Sequence, residues 1–142
     1  MLMKFLSKTL PVSVLVIGIV FFCFCLGQAS DKSELEGTWK DLHQGWSFVF
    51  SDNQVTMKSP NPQMWIEGTF KSDPSADPKE IDLAIEKSGI PAYQGLTSLG
   101  IYKIEGSLLT LALGEPGKNT RPESFGSGTG AMIFSLTREQ QD

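Results

Sequence analysis

Apolar and polar positions alternate with a period of two along most of this chain, which is the signature of β-strands whose successive side chains point to opposite faces. Trp46, Phe48 and Phe50 fall on one side, with Ser47 and Val49 on the other. Val55 and Met57 alternate with Gln54, Thr56 and Lys58. Met64, Ile66 and Phe70 share a face opposite Glu67, Thr69 and Lys71. Ile81, Leu83 and Ile85 alternate with Glu80, Asp82, Ala84 and Glu86. Met132, Phe134 and Leu136 mark one side of the last run. The pattern predicts strands over 46–50, 54–58, 64–71, 80–87, 98–105, 107–113 and 131–137, with a further first strand beginning at Trp39.

The breaks between these runs carry turn chemistry. Ser51-Asp52-Asn53 and Ser59-Pro60-Asn61-Pro62 join early strands, and Glu105-Gly106 suits a tight hairpin in which Gly supplies a positive φ. In Asp73-Pro74-Ser75-Ala76-Asp77-Pro78 each Pro biases the Asp before it away from helix. Ser33 to Glu36 predicts a short helical turn, with Ser33 and Glu36 at capping-box spacing. Ser88 to Thr97 reads as a loop. Gly114 to Gly130, with five Gly and two Pro, reads as a solvated loop rather than a functional lid. Eight short strands with such turns predict an all-β fold, a small antiparallel barrel.

The N-terminus departs from this pattern. Lys4 and Lys8 precede 17 uncharged residues, Leu10 to Leu26, and Gly27-Gln28-Ala29 follows with small residues placed for signal peptidase. Basic start, apolar centre and small-residue exit predict a signal peptide over 1–29 and an extracytoplasmic, periplasmic or secreted protein. The alternative is an N-terminal membrane anchor; the run is at the short limit for a spanning helix, with Pro11 and Gly18 inside it. A lipoprotein site at Cys23 or Cys25 is disfavoured by Phe22 and Phe24, where small residues belong.

Cleavage leaves a domain over 30–142 that contains neither Cys, so no disulfide staples it. Removing Lys4 and Lys8 leaves 10 basic residues against 16 acidic ones, a net charge of −6. That balance argues against nucleic acid and anionic lipid as partners, leaving the membrane relevant only through an uncleaved signal segment. The remaining length is enough for one ordinary core.

Seven ordered stretches carry a family resemblance. They are Leu35-Glu36-Gly37-Thr38-Trp39-Lys40, Gly68-Thr69-Phe70, Asp77-Pro78-Lys79-Glu80-Ile81-Asp82, Gly100 to Gly106, Leu108 to Leu111, Arg121-Pro122-Glu123-Ser124-Phe125 and Leu136-Thr137-Arg138. Together they resemble a lipocalin-like domain family of uncharacterised, mostly planctomycetal exported proteins. The resemblance spans about residues 34–138 and implies a calycin-like barrel of about eight strands. It further implies barrel closure by Gly37, Trp39 and Arg138, with the Arg138 guanidinium over the Trp39 indole. Plain core packing of Trp39 and a solvated Arg138 are the alternatives. Many lipocalins tie the C-terminal segment down with a disulfide, which this chain has no Cys to form.

Little in the sequence supports catalysis. His43 is the single His, and no Gly-x-Ser-x-Gly elbow accompanies it. One His without Cys excludes the usual zinc sets. Asp73, Asp77, Glu80 and Asp82 lack the ligand spacing of a calcium loop and read as a solvated acidic loop. Gly126-Ser127-Gly128-Thr129-Gly130 leads into a strand, whereas phosphate loops lead into a helix. The expectation is a protein that is not an enzyme and needs no metal or cofactor. Trp46, Phe48, Phe50, Met57, Ile66 and Phe70 are the candidate barrel-lining residues, and Trp65, on the opposite face, is a candidate exposed aromatic. Two functions stay open. One is holding a small apolar ligand in the barrel. The other is a protein-interaction or envelope-structural module with a filled barrel and no ligand.

Overall fold

The computed structural model describes residues 33–140 and 142. The predicted signal segment lies outside the described residues. Eight strands form a closed antiparallel barrel in which each strand pairs with its sequence neighbour and the last returns to the first. They are β1 (Gly37–Asp41), β2 (Ser47–Ser51), β3 (Gln54–Lys58), β4 (Trp65–Asp73), β5 (Lys79–Ser88), β6 (Thr97–Glu105), β7 (Leu108–Leu113) and β8 (Met132–Arg138). Closure removes free sheet edges. One short 3-10 turn, Pro91–Tyr93, interrupts the β5–β6 connection.

Period two sorts most side chains as the pattern predicts, but Met64, one residue before β4, and Met132, at the start of β8, are exposed rather than turned into the core. Phe48, Phe50, Val55, Met57, Phe70, Ile81, Leu83, Tyr102, Leu109, Leu111, Leu113, Phe134 and Leu136 turn inward and form one core with Leu35 and Trp39. Register follows: Phe48 pairs with Met57, Met57 with Ile66, Phe70 with Leu83, and Leu111 with Phe134. At Gly68 the β4–β5 pairing shifts register. A Cβ at Gly68 would fall 1.9 Å from the Ala84 carbonyl oxygen, so only Gly lets the two backbones approach so closely.

Four expectations need correction. The first strand begins at Gly37, not Trp39, because Gly37 takes φ +121 and pairs with Phe50 as the chain leaves the preceding turn. Trp46 lies one residue before β2, at the hairpin neck, where its carbonyl accepts the Asp41 N–H at 2.8 Å. The capping box does not form. Ser33 Oγ accepts from the Leu35 N–H at 3.2 Å, and the Glu36 carboxylate reaches away to the Asp52 N–H at 3.0 Å.

The fourth correction concerns residues 114–130. They do not form a wholly solvated loop: Gly114 and Pro122 are buried, and Arg121 is half-buried against β5 and β6. Ile101 and Ala112, paired across β6 and β7, are 1% and 0% exposed although they stand on the outward side of their strands. The segment folds back along this outer wall, bringing Phe125 beside Lys103 with Nζ 5.2 Å from the ring centre.

Candidate functional site

One end of the barrel is shut by its own chain. The turn Ser33–Glu36, closed by the Glu36 N–H on the Ser33 carbonyl at 2.9 Å, places Leu35 fully inside the core. Trp39 is also fully buried, and its indole Nε1 donates to the Leu35 carbonyl at 2.7 Å. Arg138 is the register partner of Trp39 and lies with its guanidinium carbon 4.1 Å from the ring centre. The same guanidinium donates through Nη1 to the Glu36 carbonyl and through Nη2 to the Glu34 carbonyl at 2.8 Å. Gly37 leaves room for it, since a Cβ there would stand 3.0 Å from Nη1. Gly37, Trp39 and Arg138 are therefore brought together.

The closed end also carries a polar cluster that sequence reasoning missed. Glu34 accepts Lys79 Nζ at 2.7 and 2.9 Å and the Tyr102 hydroxyl at 2.8 Å. Those partners, Lys79 foremost, hold the Glu34 carboxyl below its ordinary value against a smaller opposing effect of burial. Burial first, then the bond to Glu34, pushes the Tyr102 hydroxyl above its ordinary value, so it remains a donor. The only signal in the sequence was Tyr102 at an inward position, where a buried hydroxyl needs a partner.

The six residues singled out as barrel-lining face the interior and meet there. Trp46 lies 6.4 Å from Phe48 and 5.5 Å from Phe134, ring centre to ring centre. Phe48 lies 5.0 Å from Phe134 and 6.3 Å from Phe50, and Phe50 meets Phe70 edge-on at 5.0 Å. Met57 is buried, while Trp46 and Ile66 are partly buried and packed against the cluster. These rings form one continuous chain, from Trp46 through Phe134 and Phe48 to Phe50 and Phe70.

The acidic residues do not converge. Asp73 turns back on its own loop, where hydrogen bonds from Ser75 hold its carboxyl below the ordinary value. Glu80 and Asp82 face Arg121, at 3.6 Å to Nε and 2.7 Å to Nη2. Arg121 Nη1 also donates to the carbonyls of Ile81 and Gly100, at 3.1 and 2.7 Å. Among the described residues no group of three or more His, Cys, Asp or Glu is placed to hold a metal. His43 is exposed, and its backbone N–H, with that of Gln44, is taken by the Asp41 carboxylate at 2.7 and 2.8 Å.

Trp65 stands outside. It is half-buried on the outer face of β4 and borders a groove of about 330 Å³ with Lys58, Ser59, Asn61, Pro62, Met64 and Glu67.

No protein-family model matches this chain, and neither a curated protein nor a solved structure matches it.

Proposed function

We propose that this chain is an exported, non-enzymatic binding module whose barrel interior is structural and whose outer surface does the work. The observation that carries the reading is the filled interior: Trp46, Phe48, Phe50, Phe70 and Phe134 pack on one another between walls that are almost wholly buried. An eight-stranded barrel is just wide enough to be filled by side chains or to hold one small ligand, and aromatic contacts at 5.0–5.5 Å favour the first.

Export, with cleavage after Ala29, belongs to the same proposal and rests on the basic, apolar and small-residue order of residues 1–29. So does membership of the lipocalin-like family. It is supported by the eight-stranded closure, the short turn before Gly37-Thr38-Trp39, and the Arg138 stack.

Native mass spectrometry of the protein purified from its own host tests this reading. The expected species has the mass of a chain beginning within two residues of Ser30, with nothing bound in the barrel. A stoichiometric apolar molecule that survives gentle ionisation would instead establish the carrier function. A full-length, membrane-retained chain would overturn cleavage.

A further inference from the structure

We propose that the outer wall of the β3–β4 hairpin is a binding site for a neutral carbohydrate, with the Trp65 indole as its platform. The inference rests on reading the outer surface as the working part of the molecule.

The site is preformed. Lys58 and Trp65 are register partners on β3 and β4, and Glu67 is the next outward residue on β4. The connecting loop is tied by Ser59 N–H to the Met64 carbonyl at 3.0 Å and Met64 N–H to the Asn61 carbonyl at 2.9 Å. Asn61 Oδ1 accepts the Gln63 N–H at 3.0 Å, and Pro60 and Pro62 stiffen the path. The indole is seated by Gly89, whose N–H donates to the Trp65 carbonyl at 3.0 Å. A Cβ at Gly89 would stand 2.7 Å from Trp65 Nε1, so the absence of a side chain there lets this edge of the indole approach the backbone. A rigid groove spends little ordering entropy on binding.

The lining selects the ligand class. A groove of about 330 Å³ is at the small end of ligand sites. The Trp65 indole lines it together with an ammonium, a carboxylate and an amide, those of Lys58, Glu67 and Asn61. Among the described residues neither Lys58 nor Glu67 has an ion-pair partner, so both keep their polar capacity for a ligand. One charge of each sign gives no net attraction for an ion. A sugar ring matches: its C–H face is slightly positive and lies on the negative π face, while its hydroxyls both donate to Glu67 and accept from Lys58. A polypeptide has no sheet edge to extend, because the barrel is closed. A lipid chain would find little apolar surface beyond the indole, Met64 and Pro62.

The test uses the exported, ¹⁵N-labelled protein and follows the indole resonances of Trp39, Trp46 and Trp65. The probes are neutral oligosaccharides of glucose, N-acetylglucosamine, mannose, galactose and xylose. At least one is expected to move the Trp65 resonance saturably and leave Trp39 in place. Trp65→Ala should abolish binding. Lys58→Ala combined with Glu67→Gln should weaken it at least tenfold, with the Trp39 and Trp46 resonances unchanged as a check on folding. No shift of Trp65 with any probe, or binding that survives Trp65→Ala, overturns the site. An apolar molecule found inside the barrel would overturn the surface reading without moving Trp65, so the two failures are distinguishable.

Discussion

Arg138 stacks on Trp39 at 4.1 Å and, with the same guanidinium, holds the carbonyls of Glu36 and Glu34. One side chain from the end of β8 thus fixes the turn that precedes β1. Trp39→Ala is expected to cost about 3–5 kcal/mol, the range for truncating a buried aromatic. Arg138→Ala should cost about 1–3 kcal/mol, since it loses a cation–π contact and two charge-assisted hydrogen bonds. Arg138→Lys keeps the charge but not the planar fork, and should recover less than half of that loss. A double-mutant cycle read by urea unfolding checks the coupling; strictly additive losses would mean that the stack contributes nothing.

Phe134, on β8, packs its ring against both Trp46 and Phe48 inside the barrel. Phe134→Ala should cost about 3–5 kcal/mol and leave a cavity among apolar walls. The variant is expected to take up a small apolar probe such as benzene or xenon, while the parent protein takes up none. Xenon-dependent chemical-shift changes confined to the interior would show this. Equal uptake by the parent would show that the barrel already contains usable space.

Arg121 ties the segment after β7 to the outer wall, bonding two backbone carbonyls and the Asp82 carboxylate. Arg121→Ala should loosen the segment without opening the barrel. Stability should fall by about 1.5–3 kcal/mol, as for hydrogen bonds to charged groups. Amide hydrogen exchange in residues 115–131 should accelerate at least tenfold while β1–β4 keep their protection. Uniform acceleration across all strands would mean that the segment is part of the barrel's cooperative unit.

The strands were legible because each buries one face against a common core. β3 runs from Gln54 to Lys58 and β6 and β7 end at Glu105 and Leu113, as alternation predicts, while the remaining strand ends shift by one or two residues. The outer-wall covering by residues 114–130 was not foreseen, although a sign of it stood in the sequence. Leu111-Ala112-Leu113 breaks the alternation, and a continuous apolar run means a strand buried on both sides. Arg121 was noticed only as part of a motif. Its pairing with Glu80 and Asp82 spans about forty residues and depends on how the segment folds back, which no local pattern encodes. The Glu34 cluster escaped for the same reason: Lys79 and Tyr102 reach it from distant strands. Trp65 was legible as an outward aromatic, but the close approach of its indole to Gly89, just past the end of β5, was not.

Glu34 makes the closed end sensitive to acid. Its carboxyl is held below the ordinary value of 4.5, chiefly by the hydrogen bonds from Lys79 and Tyr102. A group whose folded pKa is depressed contributes stability that is complete above its unfolded pKa and is lost as pH falls through the folded value. Glu34 and Lys79 are both more than one-third exposed, so solvent screening limits the pair to about 1 kcal/mol or less. Glu34→Gln keeps a neutral acceptor for the Tyr102 hydroxyl while removing the charge. Parent and variant, unfolded in urea from about pH 7 to about pH 3, should differ near neutrality, with the parent more stable. The difference should shrink as pH falls below 4.5, because both proteins then carry an uncharged side chain at position 34. Asp73, also depressed, is common to both and cancels. A gap that stays constant across the whole range would show that the loss in Glu34→Gln comes from packing rather than from the carboxylate.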